Sequence, residues 1–201
     1  TLALQLAADL GWAFLDSGAI YRVAALHALR CHIALDDEVA LVDAIKTLTI
    51  GCQQGLIVLN GEDVSDAIRN EEVASATSKI AALPLVRSAL LGLQQSFQQL
   101  PGLVADGRDM GTVVFPHAVL KLFLTAQPAV RAERRLKQLA SQGLQADLAQ
   151  LTLEISERDY RDANRATAPL KPAEDAIVMD TSHLSIEQVR SQVMIELATR
   201  I

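Results

Sequence analysis

Two carboxylates, two glycines and an arginine lie together in the stretch Asp106-Gly107-Arg108-Asp109-Met110-Gly111-Thr112. This stretch follows the apolar run Leu103-Val104-Ala105, which is too short for a helix and is typical of a buried strand of a parallel sheet. Because ligands bind beyond the carboxyl ends of such strands, the stretch is well placed for chemistry. Gly107 lets the backbone approach a ligand, and Arg108 offers a planar fork to an anion. A charged turn closed by an internal Arg–Asp pair is the alternative explanation.

Other arginines lie near the ends of predicted helices. Arg22 falls within two turns of a helix start beside a strand end, where an anionic ligand is expected. Arg131 and Arg135 share a helical face and have no acidic partner at i+4, so an anion is a candidate for the missing partner. For these helices an ordinary solvated charged face remains the alternative.

The spacing of Arg158, Asp162 and Arg165 by four and three residues predicts that they project from one helical face. With them, a group of arginines is predicted to gather at one edge of a parallel sheet: Arg22, Arg87, Arg108, Arg131, Arg135, Arg158 and Arg165. In an acidic protein this convergence favours an anionic ligand. Phosphoryl transfer requires such neutralisation, because charge spreads over the oxygens of the transferred group. Asp109 and Asp162 would accept hydrogen bonds from a base, a sugar or a neighbouring arginine.

Composition narrows the class of protein. The 201 residues are 50% hydrophobic and 21% charged, which indicates one globular domain. A net charge of -6 and aromatic residues at only 3% argue against a protein that coats nucleic acid or an anionic membrane. The two cysteines, Cys31 and Cys52, lack metal-ligand spacing or a disulfide framework, so we expect a reducing cytoplasm. No apolar run is long enough to span a bilayer, and no charged leader precedes an apolar segment.

Hydrophobic periodicity and turn residues predict an alternating α/β chain. Helices are predicted at residues 1–10, from Asp16 or Ser17 to about Arg30, and at residues 36–48, 65–83, 84–98, 128–142, 147–165 and after a capping box at 185–188. Parallel strands are predicted at residues 12–15, 103–105, 118–124 and 176–180. Runs at 47–52, 56–59 and 62–64, with a hairpin signal at Asn60-Gly61, predict a small antiparallel insertion.

Four stretches, DSGAIYR (16–22), LNGEDVSDAIR (59–69), DGRDMGTVVFP (106–116) and ERDYRDANRATAPL (157–170), resemble bacterial cytidylate kinase in their order and spacing. The resemblance covers essentially the whole chain. It implies a nucleoside-monophosphate kinase with a P-loop core of parallel strands and helices on both faces at residues 1–30, 101–130 and 170–201. An acceptor-binding region would occupy residues 31–100 and a short helical lid residues 131–169. ATP, Mg²⁺ and CMP or dCMP would be its ligands, without nucleic acid or membrane, and it would be a monomer.

The resemblance also implies roles for individual residues. Ten residues would bind the acceptor: Ser17, Arg22, Ser78, Arg87, Gly107, Arg108, Asp109, Arg158, Asp162 and Arg165. Among them, Ser78, Arg87 and Asp109 would lie toward the base, Arg22 and Arg108 would hold the phosphate, and Asp162 with Arg158 would face the sugar. Arg131 and Arg135, together with Arg158, would stabilise the transferring phosphoryl group. Asp106 would reach Mg²⁺ through water, and Thr1 would contact the ATP phosphates.

The beginning of the chain departs from the family pattern. No GxxxxGKS or GxxxxGKT motif occurs among the 201 residues. The resemblance then implies that Thr1 is the last residue of the phosphate loop. A strand between those at 103–106 and 119–124 would be absent, and the chain would be inactive. A non-catalytic nucleotide-binding module, or a P-loop kinase for UMP or a small metabolite such as shikimate, are the alternative functions.

Overall fold

The computed structural model of the chain describes residues 2–53, 56–141, 143–164 and 167–201, and only the backbone of Cys52 and Gln53. The predicted ligand residues Thr1 and Arg165 lie outside the described residues. The chain divides into two compact units, unit 1 (Thr1–Gly107) and unit 2 (Arg108–Ile201). The division predicted from the resemblance, into core, acceptor-binding region and lid, stays a prediction.

The described helices and strands alternate along the chain as an α/β protein does. The helices are α1 (Leu2–Leu10), α2 (Ser17–Arg30), α3 (Glu38–Lys46), α4 (Glu71–Ile80), α5 (Pro84–Gln95), α6 (Pro128–Ser141), α7 (Leu148–Ala163) and α8 (Ile186–Ala198). The strands are β1 (Ala13–Asp16), β2 (Ile50–Gln53), β3 (Leu56–Leu59), β4 (Glu62–Asp63), β5 (Leu103–Asp106), β6 (Leu122–Thr125) and β7 (Ile177–Asp180).

In unit 1, β1 and β5 form a parallel pair whose register places Asp16 opposite Asp106. Gly11, with φ of +64°, ends α1 in the left-handed conformation that glycine adopts without strain. The Asp16 carboxylate caps α2 by accepting a hydrogen bond of 2.9 Å from the Ala19 amide. The predicted strand, cap and helix are thus confirmed. They place Ser17 and Arg22 on the first two turns after a strand's carboxyl end.

The antiparallel insertion is also confirmed, with β3 paired to β2 on one side and β4 on the other. The single helix predicted over 65–83 is wrong. A short 3₁₀ turn at Ala67–Arg69 comes first, and Asn70 then adopts an extended backbone. Its side chain accepts a hydrogen bond of 2.7 Å from the Val73 amide and so begins α4. Asparagine competes with helical hydrogen bonding in this way, which makes it a better cap than an interior residue.

In unit 2, β6 and β7 form a second parallel pair, from Leu122 opposite Ile177 to Thr125 opposite Asp180. The strand predicted to start at residue 118 starts four residues later, because the Ala118 amide closes a turn onto the Phe115 carbonyl at 3.1 Å. The capping box predicted for α8 is present at Ser185. The charged stretch after β5 leads into a π-helical turn at Met110–Val114, which the sequence did not predict.

Among the described residues, no helix by itself has the length and hydropathy needed to cross a bilayer. The helices α4 and α5 meet those two criteria only when taken together across a bend of 103°.

Candidate functional site

Ser17 begins α2 in unit 1 and is almost fully buried, with 4% of its surface exposed. Its hydroxyl donates a hydrogen bond of 2.7 Å to Oε1 of Gln94 on α5, which is 1% exposed. The Ser17 proton is therefore committed to Gln94, while the lone pairs of Oγ can accept a hydrogen bond from a ligand. Gln94, to which the sequence analysis gave no role, fixes this orientation.

Arg22 lies one turn further along α2. One terminal nitrogen of its guanidinium donates a hydrogen bond of 3.0 Å to the Ile68 carbonyl. Within the described part of the chain this is its one hydrogen bond, and arginine carries five N–H donors. Arg22 is thus anchored by the backbone of the 3₁₀ turn and keeps donors for an anion.

Arg87 joins α5 to α2 in unit 1. Its guanidinium lies 5.7 Å from the centre of the Tyr21 ring and donates a hydrogen bond of 3.1 Å to the Ala81 carbonyl. A guanidinium over an aromatic face is held in a defined plane, which suits it for contacts with a flat ligand. Ser78 lies on α4, where its exposed hydroxyl donates back to the Ala74 carbonyl at 3.2 Å. No contact within unit 1 brings Ser78 to Arg87 among those the structure describes.

Asp106 and Gly107 close unit 1 at the carboxyl end of β5, and both are exposed. In the described residues no group of three or more histidine, cysteine or acidic side chains is placed to hold a metal ion. Magnesium usually requires only one or two protein carboxylates because substrate phosphates and waters complete its shell. A single carboxylate at Asp106 therefore fits a metal that arrives with a nucleotide.

Unit 2 contains an arginine–carboxylate cluster formed by Arg108, Arg131, Arg158, Asp159 and Asp162. At its centre the Asp162 side chain is 2% exposed, and its Oδ2 accepts a hydrogen bond of 2.9 Å from Nε of Arg108. Nε of Arg158 lies 3.8 Å from the same oxygen. A buried carboxylate is tolerated when cations and hydrogen bonds neutralise it, as these two guanidinium groups do. The prediction that Arg158 and Asp162 share a face of α7 is confirmed.

Arg131 has no acidic partner at i+4 on α6, but it does pair with a carboxylate on α7. The two terminal nitrogens of its guanidinium donate one hydrogen bond each to the two carboxylate oxygens of Asp159. The bond from Nη1 to Oδ1 measures 3.0 Å. Because Asp159 lies on α7, the i+4 spacing within α6 does not reveal it. Nε of Arg131 is buried and, among the described residues, has no hydrogen-bond acceptor.

The charges of the cluster shift the pKa values of this pair. The hydrogen bond from Arg131 lowers the pKa of Asp159, the positive charges of Arg108 and Arg158 lower it further, and partial burial opposes the shift. The same hydrogen bond raises the pKa of the Arg131 guanidinium. The Arg131–Asp159 pair therefore stays ionised near neutral pH. Asp159 is not among the residues predicted for the site, although it lies within the ERDYRD stretch that carries the resemblance.

Arg135 lies apart from these pairs. It donates a hydrogen bond of 3.0 Å to Gln138 on the exposed side of α6. Asp109 is 5% exposed, and its carbonyl accepts hydrogen bonds from the Val113 and Val114 amides at 2.9 and 3.2 Å. It thereby starts the π-helical turn that follows Arg108. Two open depressions lie along α7, and none of the predicted site residues lines either of them.

We expect the ion pair between Arg131 and Asp159 to stabilise the fold at neutral pH and to lose this effect in acid. Because the folded pKa of Asp159 is lowered, the unfolded chain takes up its proton first as the pH falls. The contribution is complete above the unfolded pKa of about 4 and disappears as the pH falls through the folded value. Relative to wild type, Asp159→Asn should therefore lower the urea midpoint at neutral pH and lower it far less in strong acid.

The matched control for this measurement is Glu187→Gln, which removes an exposed ion pair of 3.2 Å with Arg190 on α8. Exposed pairs of this kind contribute about 0–1 kcal/mol, so we expect a small change at both pH values. A deficit of Asp159→Asn that is the same in acid as at neutral pH would contradict the assignment.

Comparisons with known proteins place this chain among nucleotide kinases. A family model described as cytidylate kinase matches residues 1–199. The cytidylate kinase of Aeromonas hydrophila is 56% identical over 193 residues, covering 94% of this chain and 84% of the relative. Those of Pasteurella multocida and Stutzerimonas stutzeri are 53% and 52% identical, covering 96% and 100% of this chain and 87% and 90% of the relatives. The comparisons do not support the prediction that a phosphate loop is missing, or the inactivity inferred from it.

Proposed function

Because this chain belongs to the cytidylate kinase family, we propose that it transfers the γ-phosphoryl group of ATP to CMP or dCMP. The products are ADP and CDP or dCDP. The observation that carries the proposal is the arginine–carboxylate cluster, in which Arg108 and Arg158 share the buried carboxylate of Asp162 at the strand-end stretch. Such a cluster offers preorganised guanidinium groups to phosphate and carboxylate oxygens to sugar hydroxyls.

The unit 1 residues of the proposal bind the acceptor nucleotide. Arg22 contributes the N–H groups that its bond to Ile68 leaves available and holds the phosphate. Ser17 accepts a hydrogen bond through an oxygen oriented by Gln94. Arg87, held over the Tyr21 ring, lies toward the base together with Ser78. Gly107 lets the backbone approach the nucleotide closely.

In unit 2, Arg108 binds the acceptor phosphate and Asp109 the base. Asp162, with Arg158, faces the sugar. The Asp162 carboxylate accepts a hydrogen bond from Arg108, which fixes its orientation for the proposed sugar contact. Arg165 completes this set in the proposal, from a position outside the described residues.

The transferring phosphoryl group is assigned to Arg131, Arg135 and Arg158. Arginine suits this role because its fork meets two oxygens at once and it stays charged. Asp106 would hold Mg²⁺ through water, and the ion would supply positive charge that neutralises the phosphate oxygens. No GxxxxGKS or GxxxxGKT motif occurs in the 201 residues, so within them Thr1 and these arginines are the proposed contacts to the ATP phosphates.

A coupled ADP-release assay on the wild-type protein, expressed from its complete gene, tests the proposal. Turnover should be fastest with CMP and dCMP, and slow with UMP or shikimate. Faster turnover of UMP or shikimate would overturn the acceptor assignment. Stabilisation by CMP without ADP release would instead indicate a nucleotide-binding module.

We also propose an oligomeric state and a cellular compartment for the protein. A monomer in the cytoplasm, acting on free nucleotides, agrees with the family and with cysteines that lack a disulfide framework. Sedimentation velocity in the presence and absence of CMP measures the oligomeric state directly.

A further inference from the structure

Lys121 is a buried lysine that none of the proposed roles uses. Its side chain is 7% exposed, and lysine is rarely buried unless it is paired. Nζ donates to both carboxylate oxygens of Asp175, each at 2.8 Å, and to the Pro116 carbonyl at 2.6 Å. The ammonium has three donors, and all three are used.

These bonds join three segments of unit 2. Pro116 ends the segment that leads from the Arg108 stretch, and Lys121 directly precedes β6. Asp175 precedes β7, and the Ile177 amide donates to the Lys121 carbonyl at 2.9 Å, where the two strands begin to pair. Lys121 thus connects the charged stretch to the start of the β6–β7 sheet.

The segment between Asp109 and Pro116 is a closed turn that transmits this constraint. Its Met110 carbonyl accepts a hydrogen bond of 2.7 Å from the Phe115 amide, in addition to the bonds that Asp109 accepts. Gly111 packs against the Lys121 methylenes, since a Cβ at this position would lie 3.1 Å from Cδ and 3.3 Å from Cγ. Because the turn is bonded internally and packs on Lys121, the lysine helps to fix the position of Asp109.

The ion pair between Lys121 and Asp175 is expected to add little to the stability of the fold. The Asp175 side chain is 65% exposed while its partner is buried. Replacing a buried ion pair by apolar side chains is often neutral or stabilising, so we attribute to this pair the geometry that it enforces. Three directional bonds from one atom define a position more narrowly than apolar packing does.

We propose that Lys121 is a positioning residue for the acceptor nucleotide: through Pro116, Gly111 and Asp175 it holds the turn that carries Asp109 and its neighbour Arg108. This inference rests on the proposed function. Lys121 would therefore affect the affinity for CMP and not the affinity for ATP, because Asp109 and Arg108 are proposed to bind the acceptor nucleotide.

The test is Lys121→Met, which keeps the length of the side chain and removes the ammonium. We expect the KM for CMP to rise about tenfold, while the KM for ATP and kcat at saturating CMP change less than about twofold. Gly111→Ala acts on the same turn without removing a charge. Asp175→Asn weakens the ion pair with Lys121 by changing its exposed partner. Both should raise the KM for CMP selectively.

The matched control is Arg30→Met, which removes the ion pair of 2.8 Å with Glu62 in unit 1 and should leave the KM for CMP unchanged. A wild-type protein that does not phosphorylate CMP would refute the proposed function itself. With an active wild type, equal changes in both KM values, or none, would overturn the role of Lys121. If Lys121→Met does not fold, Gly111→Ala and Asp175→Asn decide, and an unchanged KM for CMP in both overturns it.

Discussion

Replacing Arg131 with alanine should lower kcat for CMP phosphorylation by about 10²- to 10³-fold, the usual loss when one preorganised donor to a transition state is removed. The KM for CMP should change little, because the charge that Arg131 stabilises develops only during transfer. Steady-state kinetics with saturating ATP measure both parameters. Arg131→Lys should recover only part of kcat, since an ammonium lacks the fork that meets two oxygens.

Arg131 also forms an ion pair, and the experiment must separate the two roles. Asp159→Asn is the control, because it removes the charge of the partner and keeps the guanidinium group. A kcat that falls as far in Asp159→Asn as in Arg131→Ala would mean that kcat depends on the intact ion pair and not on the guanidinium alone. A large loss in Arg131→Ala alone would support a direct contact with the phosphoryl group.

Replacing Arg108 with alanine should weaken CMP binding by about 2 kcal/mol, or roughly 30-fold, as expected for a partly buried charge-assisted hydrogen bond to phosphate. Isothermal titration with CMP and with cytidine tests the assignment sharply. If Arg108 holds the phosphate, the loss appears with CMP, and cytidine binding is nearly unchanged. An equal loss for both ligands would show that Arg108 acts by supporting Asp162, whose carboxylate it neutralises at 2.9 Å.

A control variant is available on α8. Arg190→Ala removes a half-buried arginine that pairs with Glu187 at 3.2 Å, outside all the residues proposed to bind ligands. It changes the net charge by the same amount as Arg108→Ala. CMP affinity that falls equally in both variants would point to the overall field of the protein.

The carboxylates of the cluster change the electrostatic interpretation of the arginines. From the sequence, the grouped arginines favour an anionic ligand for neutralisation. In unit 2, Asp159 and Asp162 supply part of that neutralisation from within the protein, and the two salt bridges hold the Arg131 and Arg108 guanidinium groups in position. A phosphate would therefore meet donors that are already oriented, which reduces the ordering cost of binding.

Much of the local structure follows from the sequence because its causes act within a few residues. The caps at Asp16, Asp147 and Ser185 bond amides three residues away, and each begins a helix near the predicted position. The Asn60-Gly61 turn follows from the left-handed conformations that these residues tolerate, with φ values of +49° and +87°. The types and order of these elements could therefore be predicted before their packing was known.

The partners of the site residues were decided by tertiary structure. Arg131 meets Asp159 across 28 positions, and Arg108 meets Asp162 across 54, as Lys121 meets Asp175. None of these separations matches a helical or strand period, so no local sequence pattern predicts these ion pairs. The sequence by itself determined which residues carry charge and which elements hold them. Only the packing of α6 and of the Arg108 segment on α7, and the pairing of β6 with β7, decided which charges meet, because contacts between distant segments depend on how whole elements fit together.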